Sequence, residues 1–216
     1  MLQSYSSKVR SGWRESWKNK NFRWQFILSC LTIIGLGLFF PGFFDYLQAR
    51  NGKVLNDIIV DNIPPHDVSW MVFFLLYCGV IICLTFNFLH PKNLLIAFEV
   101  YALVTLMRIV TLSLVPLNPP IGYVELKEPV LSLLFTNNGR ICSHDLFFSG
   151  HVTSALAMYY SVKQRLYKNI LLIFSCMIGV LVLVQHVHYT IDVIVAPFGT
   201  YLCYWFSKKY LVKNLT

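Results

Sequence analysis

Six long apolar segments constrain this chain more than any other feature of its sequence. They are Phe26–Phe44, Trp70–Leu89, Leu94–Val115, Leu146–Val162, Ile170–Val184 and Tyr189–Phe206. A hydrocarbon core about 30 Å thick requires ~20 mostly apolar residues in an α-helix. Only 13% of the 216 residues are charged, whereas roughly a quarter are charged in ordinary soluble domains. We therefore predict an all-α, polytopic membrane protein with six transmembrane helices.

The charges between these segments alternate in sign from one connection to the next. Acidic residues concentrate in the first and third connections, whereas the short fifth connection carries neither Asp, Glu, Lys nor Arg. Basic residues dominate the start, the second and fourth connections and the tail: Lys8, Arg10, Arg14, Lys18, Lys20, Arg23, Lys92, Lys163, Arg165, Lys168, Lys208, Lys209 and Lys213. Because basic loops stay in the cytoplasm, both termini are predicted to be cytoplasmic. The same distribution argues against a nucleic-acid partner, despite a net charge of +8, because such a partner needs one contiguous basic face.

This pattern divides the chain into three parts. Residues 1–23 form a basic cytoplasmic segment, residues 24–207 form the six-helix transmembrane domain, and residues 208–216 form a basic cytoplasmic tail. Trp13 and Trp17 alternate with the basic residues of the first part. That alternation is typical of a segment lying on anionic lipid, although an ordinary basic topology signal also explains it.

Ionisable and small polar residues collect at the predicted non-cytoplasmic ends of three segments. They are Arg108 in segment three, Asp145, Ser149, Gly150 and His151 around the start of segment four, and His186, His188, Tyr189 and Asp192 around the start of segment six. Ionisable residues within a membrane are costly and usually face a protein interior or a polar cavity. We therefore expect these residues to share one functional site on the non-cytoplasmic side.

The residue types and spacings in this set indicate phosphate chemistry. His188 and Asp192 are four residues apart, so the carboxylate can hold one imidazole nitrogen while the other attacks. The helix start at Gly150 offers free backbone N–H groups to an anion. His151 can pass a proton to a leaving oxygen, and the Arg108 guanidinium group can bind a phosphoryl oxygen. Each feature alone has an ordinary structural explanation, such as helix capping by Asp192 or a snorkelling Arg108.

Four stretches carry a resemblance to a known family. Cys142–His151 resembles a cysteine-to-SGH motif, and His188–Val193 is similar to an HYTxDV motif. Arg108–Thr111 with the prolines that follow, and Pro64–Asp67, resemble two further motifs in the expected order. At these residues the chain resembles the type 2 phosphatidic acid phosphatase superfamily, and more closely its sphingomyelin synthase branch.

The resemblance implies a site and a mechanism. In that family the last-motif histidine becomes a phosphohistidine, so His188 would be the nucleophile, Asp192 its orienting partner and His151 the acid and base for the leaving group. Substrate or phosphate binding would fall to Arg108, Ser149, Gly150 and Tyr189. We predict that His144, Asp145 and His186 lie around these residues. We predict neither a metal nor a cofactor.

The resemblance also implies the reaction. Synthases move a phosphocholine- or phosphoethanolamine-like group from a membrane phospholipid to a lipid alcohol such as ceramide or diacylglycerol. The Ser-Arg pair that phosphatases carry seven residues before the last histidine is replaced by Leu181 and Val182, which disfavours a lipid phosphate phosphatase and leaves it as the alternative. Two residues, Ser143 and His144, stand where synthases usually have one, so the donor head group and the acceptor stay open.

Two other classes of function remain as hypotheses. A membrane metallohydrolase could draw on the pool His144, Asp145, His151, His186, His188 and Asp192, with an open water position on zinc. A transporter is disfavoured because the sequence shows no inverted repeat. The compact chain, lacking the accessory domain that animal family members often have, favours a bacterial inner membrane.

Overall fold

The structure, a computed structural model, describes residues 2–128 and 142–212, with side chains from residue 9 onward. The described residues form seven α-helices: α1 (Leu2–Lys18), α2 (Lys20–Gln48), α3 (Ser69–Asn87), α4 (Pro91–Leu114), α5 (Gly150–Ser161), α6 (Arg165–Val184) and α7 (Thr190–Phe206). A π-helical turn, Ser207–Leu211, continues α7. Within these ranges the only β-structure is one isolated bridge between Lys53 and Leu117. The all-α prediction is therefore confirmed for the described part of the chain.

Four of the helices are long and apolar enough to cross a membrane, namely α2, α3, α4 and α6. They indicate a membrane protein. Helix α5 has 12 residues and α7 has 17, which correspond to about 18 Å and ~26 Å at a rise of 1.5 Å per residue. The predicted fourth segment was therefore too long, since residues 146–149 are not helical. Six spans and cytoplasmic termini stay predictions.

Helix α5 lies at the centre of the bundle and contacts α3, α4, α6 and α7. Its neighbours bury it on most sides. This explains why residues 146–149, just before α5, need not be helical, because irregular backbone is tolerated at membrane depth when protein covers it. Small residues allow the close approach. A Cβ atom on Gly79 would lie 3.1 Å from Met158 of α5, and one on Gly179 would lie 3.0 Å from Val193. Such contacts are typical of helix packing in membranes.

Helix α2 packs along α4 and leaves most of its apolar surface uncovered. Leu28, Leu31, Ile34 and Leu38 are between 60% and 80% exposed. A continuous apolar surface of this kind is rare on soluble monomers. It suits a helix whose outer face is solvated by lipid.

The start of the chain, the α3–α4 connection and the end of α7 meet at one end of the bundle. Helix α1 folds against the α3–α4 connection, where Trp13 Nε1 donates to the Phe88 carbonyl at 2.9 Å. Gln25 Nε2 donates to the Leu211 carbonyl at 2.6 Å, which ties the start of α2 to the end of α7. The connections formed by residues 49–68 and 115–128 lie at the other end, beside the starts of α5 and α7. The predicted grouping of the loops is therefore present, while their side of the membrane stays a prediction.

Candidate active site

The start of α5 is built around a glycine. A Cβ atom on Gly150 would lie only 2.5 Å from Arg108 Nη1, so the guanidinium group fits against the helix only because this residue has no side chain. Ser149 caps the helix, its Oγ accepting from Val152 N at 3.5 Å. The backbone N–H of Ser149 donates to the Asp192 carbonyl at 3.2 Å. The starts of α5 and α7 are thereby held side by side.

Arg108 reaches this position from α4 and is almost fully buried. Its Nε donates to the Phe148 carbonyl at 2.9 Å, and its Nη2 forms an ion pair with Asp145. Burial raises the pKa of Asp145, but the adjacent Arg108 charge and hydrogen bond outweigh it and hold the pKa below its ordinary value. The arginine is therefore fixed at the helix start by an anionic partner.

His188 and Asp192 meet at the start of α7, but they do not share a helical face as predicted, because His188 precedes the first helical residue, Thr190. His188 Nδ1 lies 3.5 Å from Asp192 Oδ2, and both side chains are buried. The same oxygen accepts from Tyr189 N at 2.9 Å and so caps the helix. Among the described residues, His188 Nδ1 and Asp192 Oδ1 have no hydrogen-bond partner. The pair is longer than a formed hydrogen bond, as catalytic contacts often are before substrate binds.

His151 faces His188 across the two helix starts. The two ring centroids are 6.0 Å apart at an interplanar angle of 67°. On its other side the His151 ring lies edge-on to Phe73, with centroids 5.9 Å apart. Its Nδ1 is buried and lacks a hydrogen-bond partner among the described residues. A histidine with an unused nitrogen beside a second histidine is suited to proton exchange with a bound substrate.

A cavity of about 260 Å³ opens beside these residues. Its lining combines a polar end with an aromatic wall: Arg108, Asp145, Gly150, His151, Thr153 and Ser154, then Thr105, Tyr101, Leu76, Phe40 and Phe44. His188 is not among them, and its ring centroid lies 6.0 Å from that of His151, which does line the cavity. Sequence reasoning missed the wall, although Tyr101, Thr105 and Arg108 are spaced four and three residues apart and so share one face of α4.

Ser149, His188 and Asp192 do not line the cavity, and neither do three further predicted site residues: Tyr189, His186 and His144. The Tyr189 hydroxyl donates to the Asn118 carbonyl at 2.8 Å and accepts from Leu55 N at 3.1 Å, so backbone groups rather than a phosphate engage it here. The His186 ring lies between two backbone carbonyls. His144 Nδ1 lies 3.1 Å from Ser143 Oγ, and burial, with nearby Arg50, lowers the pKa of His144.

Asp57 is a residue of the site that sequence reasoning missed. One carboxylate oxygen accepts from Thr190 N at 2.5 Å and the other from Thr190 Oγ1 at 2.8 Å. Burial raises the pKa of Asp57, but these bonds and those from Val60 and Ile59 hold it below its ordinary value overall. The contact joins positions 133 residues apart, so no local sequence pattern could have revealed it.

The ligand pool required by a metallohydrolase is not assembled in the part of the chain that the structure describes. Across residues 2–128 and 142–212, no three His, Cys, Asp or Glu side chains are placed to hold a metal ion. The reason is visible at His186, whose two ring nitrogens face Ile121 and Ile63 carbonyls instead of His188.

Comparison with known families bears on the part of the chain that holds both histidines. Residues 142–209 match the family described as PAP2 superfamily C-terminal. The match supports membership of the type 2 phosphatidic acid phosphatase superfamily. Members of the PAP2 superfamily are typically lipid phosphatases or phosphotransferases. No curated protein and no solved structure matches the chain.

The matched range includes both helix starts described above. The matched residues supply Ser149, Gly150 and His151 at the start of α5, and His188 and Asp192 at the start of α7. Arg108 precedes the match in the chain but contacts Asp145 within it. Helix α4 therefore contributes a side chain that contacts the matched region.

Proposed function

We propose that this protein is a lipid phospho-head-group transferase of the sphingomyelin synthase type, acting through a phosphohistidine on His188. The observation that carries the proposal is the meeting of His188, Asp192 and His151 beside the Arg108 guanidinium group. A nucleophile with its carboxylate partner, a proton donor and a phosphate-binding cation are the groups that phosphoryl transfer requires.

In the first step, the head group moves from the phospholipid to the enzyme. His188 Nε2 forms a bond to phosphorus as the bond from phosphorus to the glycerol oxygen breaks. His151 gives its proton to that oxygen, so the leaving product is diacylglycerol. Asp192 stabilises the positive charge that develops on the attacking imidazole ring. Arg108 holds the phosphoryl oxygens.

In the second step, the head group moves to the acceptor. The hydroxyl oxygen of a lipid alcohol, such as ceramide or diacylglycerol, attacks phosphorus and the bond to His188 breaks. His151, now neutral, takes the hydroxyl proton and returns to its starting state. No group outside the two lipids and the protein is consumed.

The shape of the cavity supports a lipid substrate. Phe40 and Phe44 of α2 and Tyr101 of α4 line the same cavity as Arg108 and His151. Tyr101 is 40% exposed, so this wall reaches the periphery of the bundle. A phospholipid with its phosphate at Arg108 can leave its acyl chains along that wall and in the bilayer.

Transfer to an alcohol is favoured over transfer to water by the burial of the nucleophile. His188 is only 2% exposed and lies behind His151, so access to it requires side-chain movement. A site that opens only around a bound lipid excludes water from the phosphoenzyme. The second candidate, a lipid phosphate phosphatase, has the same first step and uses water in the second.

The test is product analysis with the purified protein in liposomes. Phosphatidylcholine and phosphatidylethanolamine serve as donors, ceramide and diacylglycerol as acceptors, and mass spectrometry identifies the products. We expect the donor head group on the acceptor lipid. Release of water-soluble head group alone would establish a hydrolase instead. His90→Ala, an exposed histidine at the other end of the bundle, is the matched control for His188→Ala.

A further inference from the structure

The turn that precedes the nucleophile contains a residue in an unusual backbone conformation. Helix α6 ends with His186 N donating to the Leu183 carbonyl at 3.0 Å and Val187 N donating to the Val182 carbonyl at 3.1 Å. This is a Schellman ending, in which the left-handed position is usually glycine. Here that position is His186, with a φ of 54°. A side chain retained at such a position is expected to serve a purpose of its own.

The His186 side chain makes two contacts that a neutral ring cannot satisfy together. Nδ1 lies 2.6 Å from the Ile121 carbonyl oxygen, and Nε2 lies 2.8 Å from the Ile63 carbonyl oxygen. The residue is 4% exposed. A carbonyl oxygen only accepts hydrogen bonds, and a neutral imidazole carries a single N–H. Both contacts are hydrogen bonds only when the ring is an imidazolium.

The surroundings close tightly on this ring. A Cβ atom on Gly122, which has a φ of 79°, would lie 3.3 Å from His186 Nδ1 and 3.2 Å from Pro65. The ring is thus enclosed by residues 63–65 on one side and 121–122 on the other. Each loop therefore places one carbonyl oxygen against a different nitrogen of the ring.

Titratable groups of both signs lie on the described elements around the ring. The first loop carries Asp61, His66 and Asp67, the second carries Tyr123, Glu125, Lys127 and Glu128, and the turn itself leads to His188. Hydrogen bonds from Ser69 hold the pKa of Asp67 below its ordinary value. His66 Nδ1 lies 2.8 Å from the Pro64 carbonyl. Lys127 on the second loop also lowers the pKa of Asp67, so this carboxylate already faces a cation.

The neighbouring Gln185 binds the same two loops. Its Nε2 donates to Ser69 Oγ at 2.7 Å and to the Glu125 carbonyl at 3.0 Å, while its Oε1 accepts from Val68 N at 3.1 Å. Two consecutive side chains therefore cross-link both loops to the α6–α7 turn. The amide is neutral at every pH, so any charge dependence of this link comes from His186.

We infer that His186 is held as an imidazolium that ties both loops to the α6–α7 turn, and that it is a positioning residue for His188. The cation fixes the backbone two residues before the nucleophile. Loss of its proton removes one of the two hydrogen bonds and loosens the turn. The kinetic consequence rests on the proposed function; the charge state of the ring does not.

The charge state is tested by NMR on the full chain with ¹⁵N-labelled histidine in lipid nanodiscs. The His186 signals are assigned by their absence from the His186→Asn protein. We expect both ring nitrogens to be protonated at pH 7. A neutral tautomer at that pH in the folded protein would overturn the inference. Because no activity is required, this outcome is independent of whether the protein is a transferase.

The positioning role is tested with His186→Gly and His186→Asn. Glycine relaxes the backbone and removes both contacts, and asparagine tolerates the left-handed conformation but is too short to bridge both carbonyls. We expect kcat near neutral pH to fall by up to ~10²-fold with KM little changed, since a displacement of about 1 Å can have that effect. His66→Asn, an exposed histidine on the same loop, should retain the wild-type kcat.

The pH dependence separates this role from general destabilisation. The wild-type ring loses its charge as pH rises, whereas the variants have no charge to lose. Because the neutral ring keeps one of its two hydrogen bonds, the ratio of wild-type to variant kcat should fall at alkaline pH without reaching one. A ratio that stays constant across pH, or a His186→Gly protein with the wild-type kcat, contradicts the positioning role.

Discussion

Gly150 lies against the guanidinium group of Arg108, where a Cβ atom would be 2.5 Å from Nη1. Gly150→Ala should force the guanidinium group away from the helix start and lower kcat by up to ~10²-fold, while the protein stays folded. Gly35→Ala is the matched control, because nothing lies within 4 Å of a Cβ atom there. Kinetics and thermal unfolding of both variants check the prediction. Full activity in Gly150→Ala would show that the position of Arg108 is not critical.

The ring centroids of His151 and His188 lie 6.0 Å apart, and we expect the two residues to have different roles. His188→Ala should abolish both turnover and the acid-labile, base-stable phosphate trapped on the wild-type protein. Asp192→Asn should slow turnover by ~10⁴-fold, the scale known for the equivalent change in a serine protease. His151→Ala should slow it by roughly 10²–10⁴-fold. Phosphoenzyme trapping with labelled donor lipid measures the first effect, and phosphate still trapped on His188→Ala would refute the assignment.

At the scale of elements, α7 is capped by a carboxylate from a distant loop. Asp57 accepts from both Thr190 N and Thr190 Oγ1, so Asp57→Ala should lower the free energy of unfolding by about 0.5–2 kcal/mol. The pKa of Asp57 is held below its ordinary value. Its charge therefore stabilises the fold above the unfolded pKa of about 3.9, and this contribution is lost as pH falls through the lower folded pKa.

The corresponding measurement is thermal unfolding at several pH values. The difference in Tm between wild type and Asp57→Ala should be full at pH 7 and shrink in strong acid. Asp57→Asn keeps an acceptor without the charge and so isolates the charge-dependent part. A difference that did not change with pH would assign the stabilisation to packing alone.

Helix α1 carries an exposed row of basic residues next to aromatic residues that pack against α2. Arg10, Arg14 and Lys18 follow one another at four-residue intervals and are exposed, while Trp13 packs on Phe22 and Phe26. We propose that the basic face binds anionic lipid, each charge contributing about 1 kcal/mol. Arg10→Gln with Arg14→Gln should lower the preference for phosphatidylglycerol over phosphatidylcholine several-fold, measured by native mass spectrometry of co-purified lipid.

The control for that experiment lies at the other end of the bundle. Lys53→Gln removes an exposed basic residue from the connection between α2 and α3. It should leave the lipid preference unchanged. An equal loss in both proteins would mean that net charge, rather than the face of α1, determines which lipid is bound.

At the scale of the whole molecule, the loops divide into a basic end and an end that holds the site. Single cysteines at Lys20 and Lys209 should react with an impermeant reagent only from the cytoplasmic side, and one at Asn56 only from the opposite side. The six native cysteines are first replaced by serine or alanine. The predicted external loop at Asn137–Asn138 lies outside the described residues, so Asn56 reports on that side. Labelling of Asn56 from the cytoplasm would reverse the proposed orientation.

Local patterns predicted much of this arrangement, and distant contacts account for the rest. The spacing of His188 and Asp192 predicted one face of a helix, but α7 begins only at Thr190, so the turn before the helix and not the helix itself sets their distance. The sequence could not show that Gly150 makes room for Arg108, or that Asp57 caps Thr190, because these pairs meet only in the folded bundle. The length of α5 was overestimated because apolar composition does not reveal where surrounding protein permits irregular backbone.

The cavity of about 260 Å³ lies just below the ~300–1,000 Å³ typical of sites that enclose a drug-sized ligand. The proposed phospholipid substrate would place only its head group there, and its two acyl chains would remain among their neighbours in the bilayer. Enzyme and substrate then meet by diffusion in two dimensions. Turnover in that situation follows the mole fraction of substrate at the membrane surface rather than its bulk concentration, and dilution by inert lipid acts as dilution by solvent does for a soluble enzyme.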